Sequence, residues 1–144
     1  MRIMGILLAA VVVIMLNSAG SAQDKKAVDD DNKKIEGTWT VVSIEPTAKT
    51  KEDLARMKIM IKDGSIIIKD GDVLVEKQTF KLDPSKKPKQ IDIKAEDERL
   101  PGIYELDGDN LKLCVTEGKG TPRPTKFAPD DKTEAVLVVL KRQK

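Results

Sequence analysis

The sequence predicts an all-β domain, a small antiparallel up-and-down barrel of about eight strands. Three observations carry this. From Glu36 onward, short apolar runs alternate with turn residues at roughly ten-residue spacing. Asp-Gly pairs stand at Asp63-Gly64, Asp70-Gly71 and Asp107-Gly108, where a tight hairpin needs residues that tolerate positive φ. Long helical periodicity is absent. Sequential antiparallel strands can close on themselves and remove both exposed edges; an open two-sheet sandwich is the alternative.

The chain opens with a segment that does not fit this pattern. Met1 and Arg2 give a short positive start, and the run from Ile3 to Leu16 carries no charge. Small residues follow, with Gly20 and Ala22 at the −3 and −1 positions of a cut before Gln23. Residues 1–22 are therefore expected to be a signal peptide, and the protein to be exported, periplasmic or extracellular. The apolar run is shorter than the roughly 20 residues that span a bilayer, so no stable membrane anchor is expected. No cysteine follows it, which argues against a lipid anchor. Residues 23–34 (QDKKAVDDDNKK) are expected to be a solvated polar linker. Asp29-Asp30-Asp31 is not a calcium cage, because consecutive carboxylates on a flexible chain cannot converge on one ion.

The domain proper is expected over residues 35–142. Residues 39–44 form the first strand, ending at Pro46. Residues 47–56 suit one short helix or structured loop, with Thr50 as N-cap and the helix or loop centred on residues 50–56. A strand at 57–61 places Met57, Ile59 and Ile61 on one face, and Asp63-Gly64 turns it into a strand at 66–68. A longer strand at 73–82 is closed by Asp83-Pro84, and a basic loop, Ser85 to Lys89, follows. Residues 90–95 alternate Ile91 and Ile93 with polar neighbours, as a half-buried strand does. A polar connection at 96–99 leads to strands at 102–106 and 110–116. After a long irregular stretch at 118–131, the last strand, 135–142, is almost continuously apolar.

Composition excludes several functions. The formal net charge is +2, one unit of it from Arg2, so neither nucleic acid nor an anionic membrane is attracted in general. Histidine is absent, which removes the commonest general base and metal ligand, and a single cysteine cannot build a thiolate cluster. No nucleophile-elbow, phosphate-loop or dinucleotide motif occurs. Asp107-Gly108-Asp109-Asn110 begins like a calcium loop but continues Leu111-Lys112, where glycine is required at the sixth position. No catalytic residue, no metal site and no cofactor are expected. Paired carboxylates meeting in a cleft are the only enzymatic arrangement left open.

Trp39 is the only tryptophan, two residues after Gly37. Period-two alternation in the last strand puts Val136, Val138, Leu140 and Arg142 on one face. If that face is the inner one, Arg142 reaches the barrel end and stacks on the indole. Gly37, Trp39 and Arg142 are thus expected to close the barrel, as structural residues.

The Gly37-Thr38-Trp39 opening with a late basic residue resembles the lipocalin and calycin pattern. More specifically, the chain resembles the uncharacterised lipocalin-like domain family found chiefly in planctomycete bacteria. Lys87-Pro88-Lys89-Gln90-Ile91-Asp92, the run from Gly102 to Cys114, Arg123-Pro124 with Phe127, and Leu140-Lys141-Arg142 carry the rest of the likeness. The resemblance spans residues 35–142 and implies a lipocalin-like barrel, usually exported, with no established activity. The chain is shorter than typical lipocalins and poor in aromatic residues for lining a large pocket.

The same pattern draws attention to Tyr104, Lys112 and Arg123 as ligand-binding residues at one barrel mouth. Arg123 is held between two prolines, which stiffen its backbone; pinning the long loop through a carboxylate such as Asp92 is its structural alternative. Asp92 and Lys112 offer charge partners. Cys114 alternates against Leu111, Leu113 and Val115, facing outward, either packed as a small apolar residue or open to an intermolecular disulfide. Lys86, Lys87 and Lys89 make a basic loop without an interleaved aromatic, an ordinary solvated turn before an anion site. The function expected is non-catalytic binding of an unknown small molecule in or at the mouth of the barrel. The alternative is a protein-interaction or envelope-associated module whose barrel is filled by side chains.

Overall fold

The computed structural model describes residues 17–117 and 120–144. The segment 1–16, most of the expected signal peptide, lies outside the described residues.

The eight strands form one closed barrel in sequence order, every neighbour antiparallel. They are β1 (Gly37–Glu45), β2 (Met57–Lys62), β3 (Ser65–Asp70), β4 (Val73–Asp83), β5 (Lys89–Ala95), β6 (Glu98–Asp107), β7 (Asn110–Thr116) and β8 (Ala135–Arg142). The Asp-Gly turns form the expected hairpins: Asp63 (φ 49°) and Gly64 (φ 76°) both lie in the left-handed region that joins β2 to β3 without splaying them. Two strands are longer than expected. β3 extends on both sides of its three isoleucines, and the polar connection at 96–99 shrinks to a two-residue turn, because Glu98 and Arg99 pair with Ala95 and Lys94. In β1 the register shifts between Val41 and Ser43, so Val42 is an extra residue pushed outward while Ile44 returns to the core.

The inward positions are filled by side chains. Trp39, Leu111 and Leu140 are fully buried, and Ile61, Ile91 and Tyr104 almost so. Side chains from all eight strands meet in one buried cluster, with Ile59, Ile66, Phe80, Leu82, Ile93 and Leu113 joining these six. Both ends are stoppered. The helix α2 (Lys51–Arg56) brings Leu54 into the core at one end; its Thr50–Asp53 capping box and the Arg56–Asp70 ion pair (3.2 Å) hold it there.

The other end carries the main departure from the sequence prediction. Residues 23–34 are not a linker: a helix, α1 (Asn17–Ile35), runs directly into β1. Asp29 and Asp30 stand four residues before Lys33 and Lys34, the favourable order for helical charge pairs, and both lysines occupy the last turn, where the helix dipole favours cations. Val28, Asp31, Asn32 and Ile35 recur at helical spacing on one face, and Ile35 and Asp31 are buried against the barrel.

A second small core lies outside the barrel. Ile103, Cys114 and Ala135 point outward and are covered by the segment 121–131, with Phe127 and Leu137 packed on them. This strap explains why β8 is apolar on both faces.

Candidate functional site

Three polar clusters stand out, and each ties a remote segment to the barrel. The first surrounds Trp39. Its indole Nε1 donates to the Ile35 carbonyl (2.9 Å), and Arg142 stacks over the ring, Cζ 4.3 Å from its centre. Arg142 also donates to the carbonyls of Glu36 (2.7 Å) and Lys34, and pairs with Asp109 (3.4 Å). Trp39 and Arg142 thereby satisfy three successive carbonyls at the C-terminal end of α1 that the helix cannot bond itself. Gly37 (φ 139°) is required twice: its backbone is in a region that side chains avoid, and a Cβ there would meet the guanidinium at 2.6 Å. Gly37, Trp39 and Arg142 are therefore brought together at the barrel end.

The second cluster holds α1 lower down. Asp31, 6% exposed, accepts on Oδ2 from the Tyr104 hydroxyl (2.7 Å) and from Lys89 Nζ (2.9 Å). Burial, and then the hydrogen bond to Asp31, raise the Tyr104 pKa far above its ordinary value, so the phenol stays a donor. Sequence reasoning missed Asp31 and Lys89. The spacing of Val28, Asp31 and Ile35 was a signal for a packed helix face, but its polar members masked it.

The third cluster anchors the strap. Arg123 Nη1 donates to the carbonyls of Gly102 (2.9 Å) and Ile91 (3.1 Å), and Nη2 to Asp92 (2.7 Å). This is the loop-pinning role, on the outer face of β5 and β6. On its other side Gly102 leaves no room for a side chain: a Cβ would meet Val115 Cγ1 at 2.5 Å and the Cys114 carbonyl at 2.8 Å. Beneath the strap Cys114 is fully buried, its Sγ 3.6 Å from the Ala128 carbonyl, and burial pushes its thiol pKa up. That geometry leaves no path to an intermolecular disulfide.

The three residues expected at one mouth do not meet. Tyr104 points into the barrel beneath α1, and Arg123 grips the outer wall. Lys112 is exposed on the outside, opposite Glu105 and one residue out of phase with Leu113. A single site built from them is corrected by strand alternation: Tyr104 pairs with Leu113, not Lys112.

Grooves remain on the surface. One of about 400 Å³ runs between α1 and β4, touching Val28, Asn32, Phe80 and Leu82. Another, of about 290 Å³, lies beside the basic loop. Among the described residues no group of three or more histidine, cysteine or acidic side chains is placed to hold a metal, and no helix is long and apolar enough to cross a membrane.

Comparison with known proteins finds no protein family, curated protein or solved structure that matches this chain.

Proposed function

We propose that this protein is an exported, non-catalytic interaction module in which the barrel is a solid scaffold and recognition takes place on its outside. The observation that carries the reading is the free arm of β4. Residues 73–79 of β4 pair with β3, apart from Val75, which a bulge leaves unpaired, but only 79–83 pair with β5, so the second edge of residues 73–78 is open. Val73, Leu74 and Val75 on this arm are 66%, 58% and 60% exposed. An unpaired strand edge carrying consecutive apolar residues is costly to leave in water and is a template for strand addition. The partner class is therefore an extended segment of another envelope protein, docked by main-chain hydrogen bonds and by alternate apolar side chains. The filled interior supports the same reading, because it leaves the rim and the outer wall as the only places for a partner. The chain's lack of histidine accords with a non-catalytic role.

A photoreactive amino acid at Leu74, with one at Lys112, also exposed but on another strand, as control, tests the reading in the native host. A discrete cross-linked protein from position 74 alone is expected. Equal, diffuse labelling from both positions would overturn it.

A further inference from the structure

The end of the barrel sealed by α1 also carries a built groove that the strand edge does not involve. The loop between β4 and β5 stands beside Leu106 of β6 and Phe127 of the strap, enclosing the space of about 290 Å³. Its floor is apolar, made by Pro84, Pro88, Leu106 and Phe127, and its rim carries Lys86, Lys87 and Lys89. Phe127 lies almost forty residues beyond the lysines in the chain, so no sequence window shows an aromatic among them. Lys86 and Lys87 are exposed and make no ion pair or hydrogen bond among the described residues. Lys89 is held by the Asp31 carboxylate and lies 5.9 Å from the centre of the Tyr104 ring.

Charge and size narrow what such a groove takes. Three lysines stand beside three acids: Asp31, Glu105 and Asp83, which precedes Pro84 in the same loop and acts on Tyr104. That balance leaves no excess charge for a dianionic phosphate, and the two unpaired cations, Lys86 and Lys87, suit one carboxylate. The volume is at the small end for a ligand site, enough for a ring or short chain and no more. The edge of the groove already holds a carboxylate: Asp31 sits there with an ammonium and a phenol on one oxygen.

We propose that this groove binds a small amphipathic carboxylate, its acid group among Lys86, Lys87 and Lys89 and its apolar body on Phe127, Leu106 and the two prolines. Asp31 competes for Lys89 and so limits the affinity. The two kinds of variant therefore act oppositely: removing lysines weakens binding, and neutralising Asp31 strengthens it.

The test is a titration of the ¹⁵N-labelled full chain with 3-phenylpropionate, followed by amide shifts. Acetate, 3-phenylpropanol and inorganic phosphate serve as comparison probes. Saturable shifts confined to the amides of Lys86, Lys87, Lys89, Leu106 and Phe127 are expected with phenylpropionate and not with the three comparison probes. Lys86→Gln with Lys87→Gln weakens binding roughly fivefold, as two exposed ionic contacts would, while Lys112→Gln leaves it unchanged. Asp31→Asn tightens binding roughly two- to threefold. If that variant is too unstable to titrate, the exposed lysine pair decides alone. Shifts that are equal for acetate, phenylpropanol or phosphate overturn the proposal, as does a loss in Lys112→Gln equal to that in the double variant.

Discussion

Replacing Arg142 with alanine removes, in one step, most of what holds α1 against the barrel. The guanidinium donates to two helix-end carbonyls, stacks 4.3 Å above Trp39 and pairs with Asp109 at 3.4 Å. A hydrogen bond from a charged donor contributes about 1.5–3 kcal/mol, and a partly exposed cation–π contact about 0.5–2 kcal/mol. The ion pair adds at most about 1 kcal/mol, because Asp109 is well exposed. These contributions share one side chain and do not add in full, so a loss of about 3 kcal/mol is expected. Lysine at the same position keeps the charge but cannot serve two carbonyls and a ring face at once, and should recover less than half of it. Urea denaturation of the three proteins gives the energies, and hydrogen exchange at residues 31–35 reports the helix end directly. Arg142→Ala within about 0.5 kcal/mol of the parent, the range of ordinary surface changes, would refute the reasoning. So would full rescue by lysine.

Other outcomes follow from the same contacts. Asp31→Ala strands the buried Tyr104 hydroxyl and releases Lys89, for a cost of about 1–3 kcal/mol by thermal or urea denaturation, whereas Tyr104→Phe removes only the phenol donor. The raised pKa of Tyr104 makes its contribution complete below the unfolded value near 10 and progressively lost as the pH rises above it. The parent should therefore lose stability above pH 10 more steeply than Tyr104→Phe, measured as midpoint against pH. Gly102→Ala drives a methyl group into Val115 and the Cys114 carbonyl and should cost about 1–3 kcal/mol by denaturation. Arg123→Ala frees the strap while the barrel persists, so Cys114 should react with a thiol reagent many times faster than in the parent, at nearly unchanged far-ultraviolet circular dichroism.

Most of the barrel is legible in the chain because its determinants are local. An Asp-Gly pair between alternating runs marks a turn, centred on the pair at Asp63-Gly64 and one residue later at Gly71-Asp72 and Gly108-Asp109, and Ile91 and Ile93 declare their face by spacing alone. The helix α1 was hidden for the opposite reason. Its packed face is half polar, and the burial of Asp31 makes sense only once Tyr104, 73 residues away, donates to it. Arg123 shows the same limit: prolines on either side advertise a stiff loop, but its three acceptors lie 21 to 32 residues back on two strands. The separation of Tyr104 from Lys112 is legible too, since a two-residue turn at 108–109 pairs residue 104 with 113 and puts 112 on the opposite face. The free arm of β4 could not be foreseen from its own residues. Its exposure results from β5 being shorter, a difference in length between neighbours.

The central claim is that the barrel is solid and that recognition lies outside it. Trp39 is the only tryptophan and is buried at the stoppered end, so its emission reports on the interior. Titration with a neutral long-chain alcohol, which the cationic groove does not attract, is the most direct measurement. The account predicts no saturable change in Trp39 emission up to the solubility limit of the alcohol. A saturable change with one-to-one stoichiometry would contradict it.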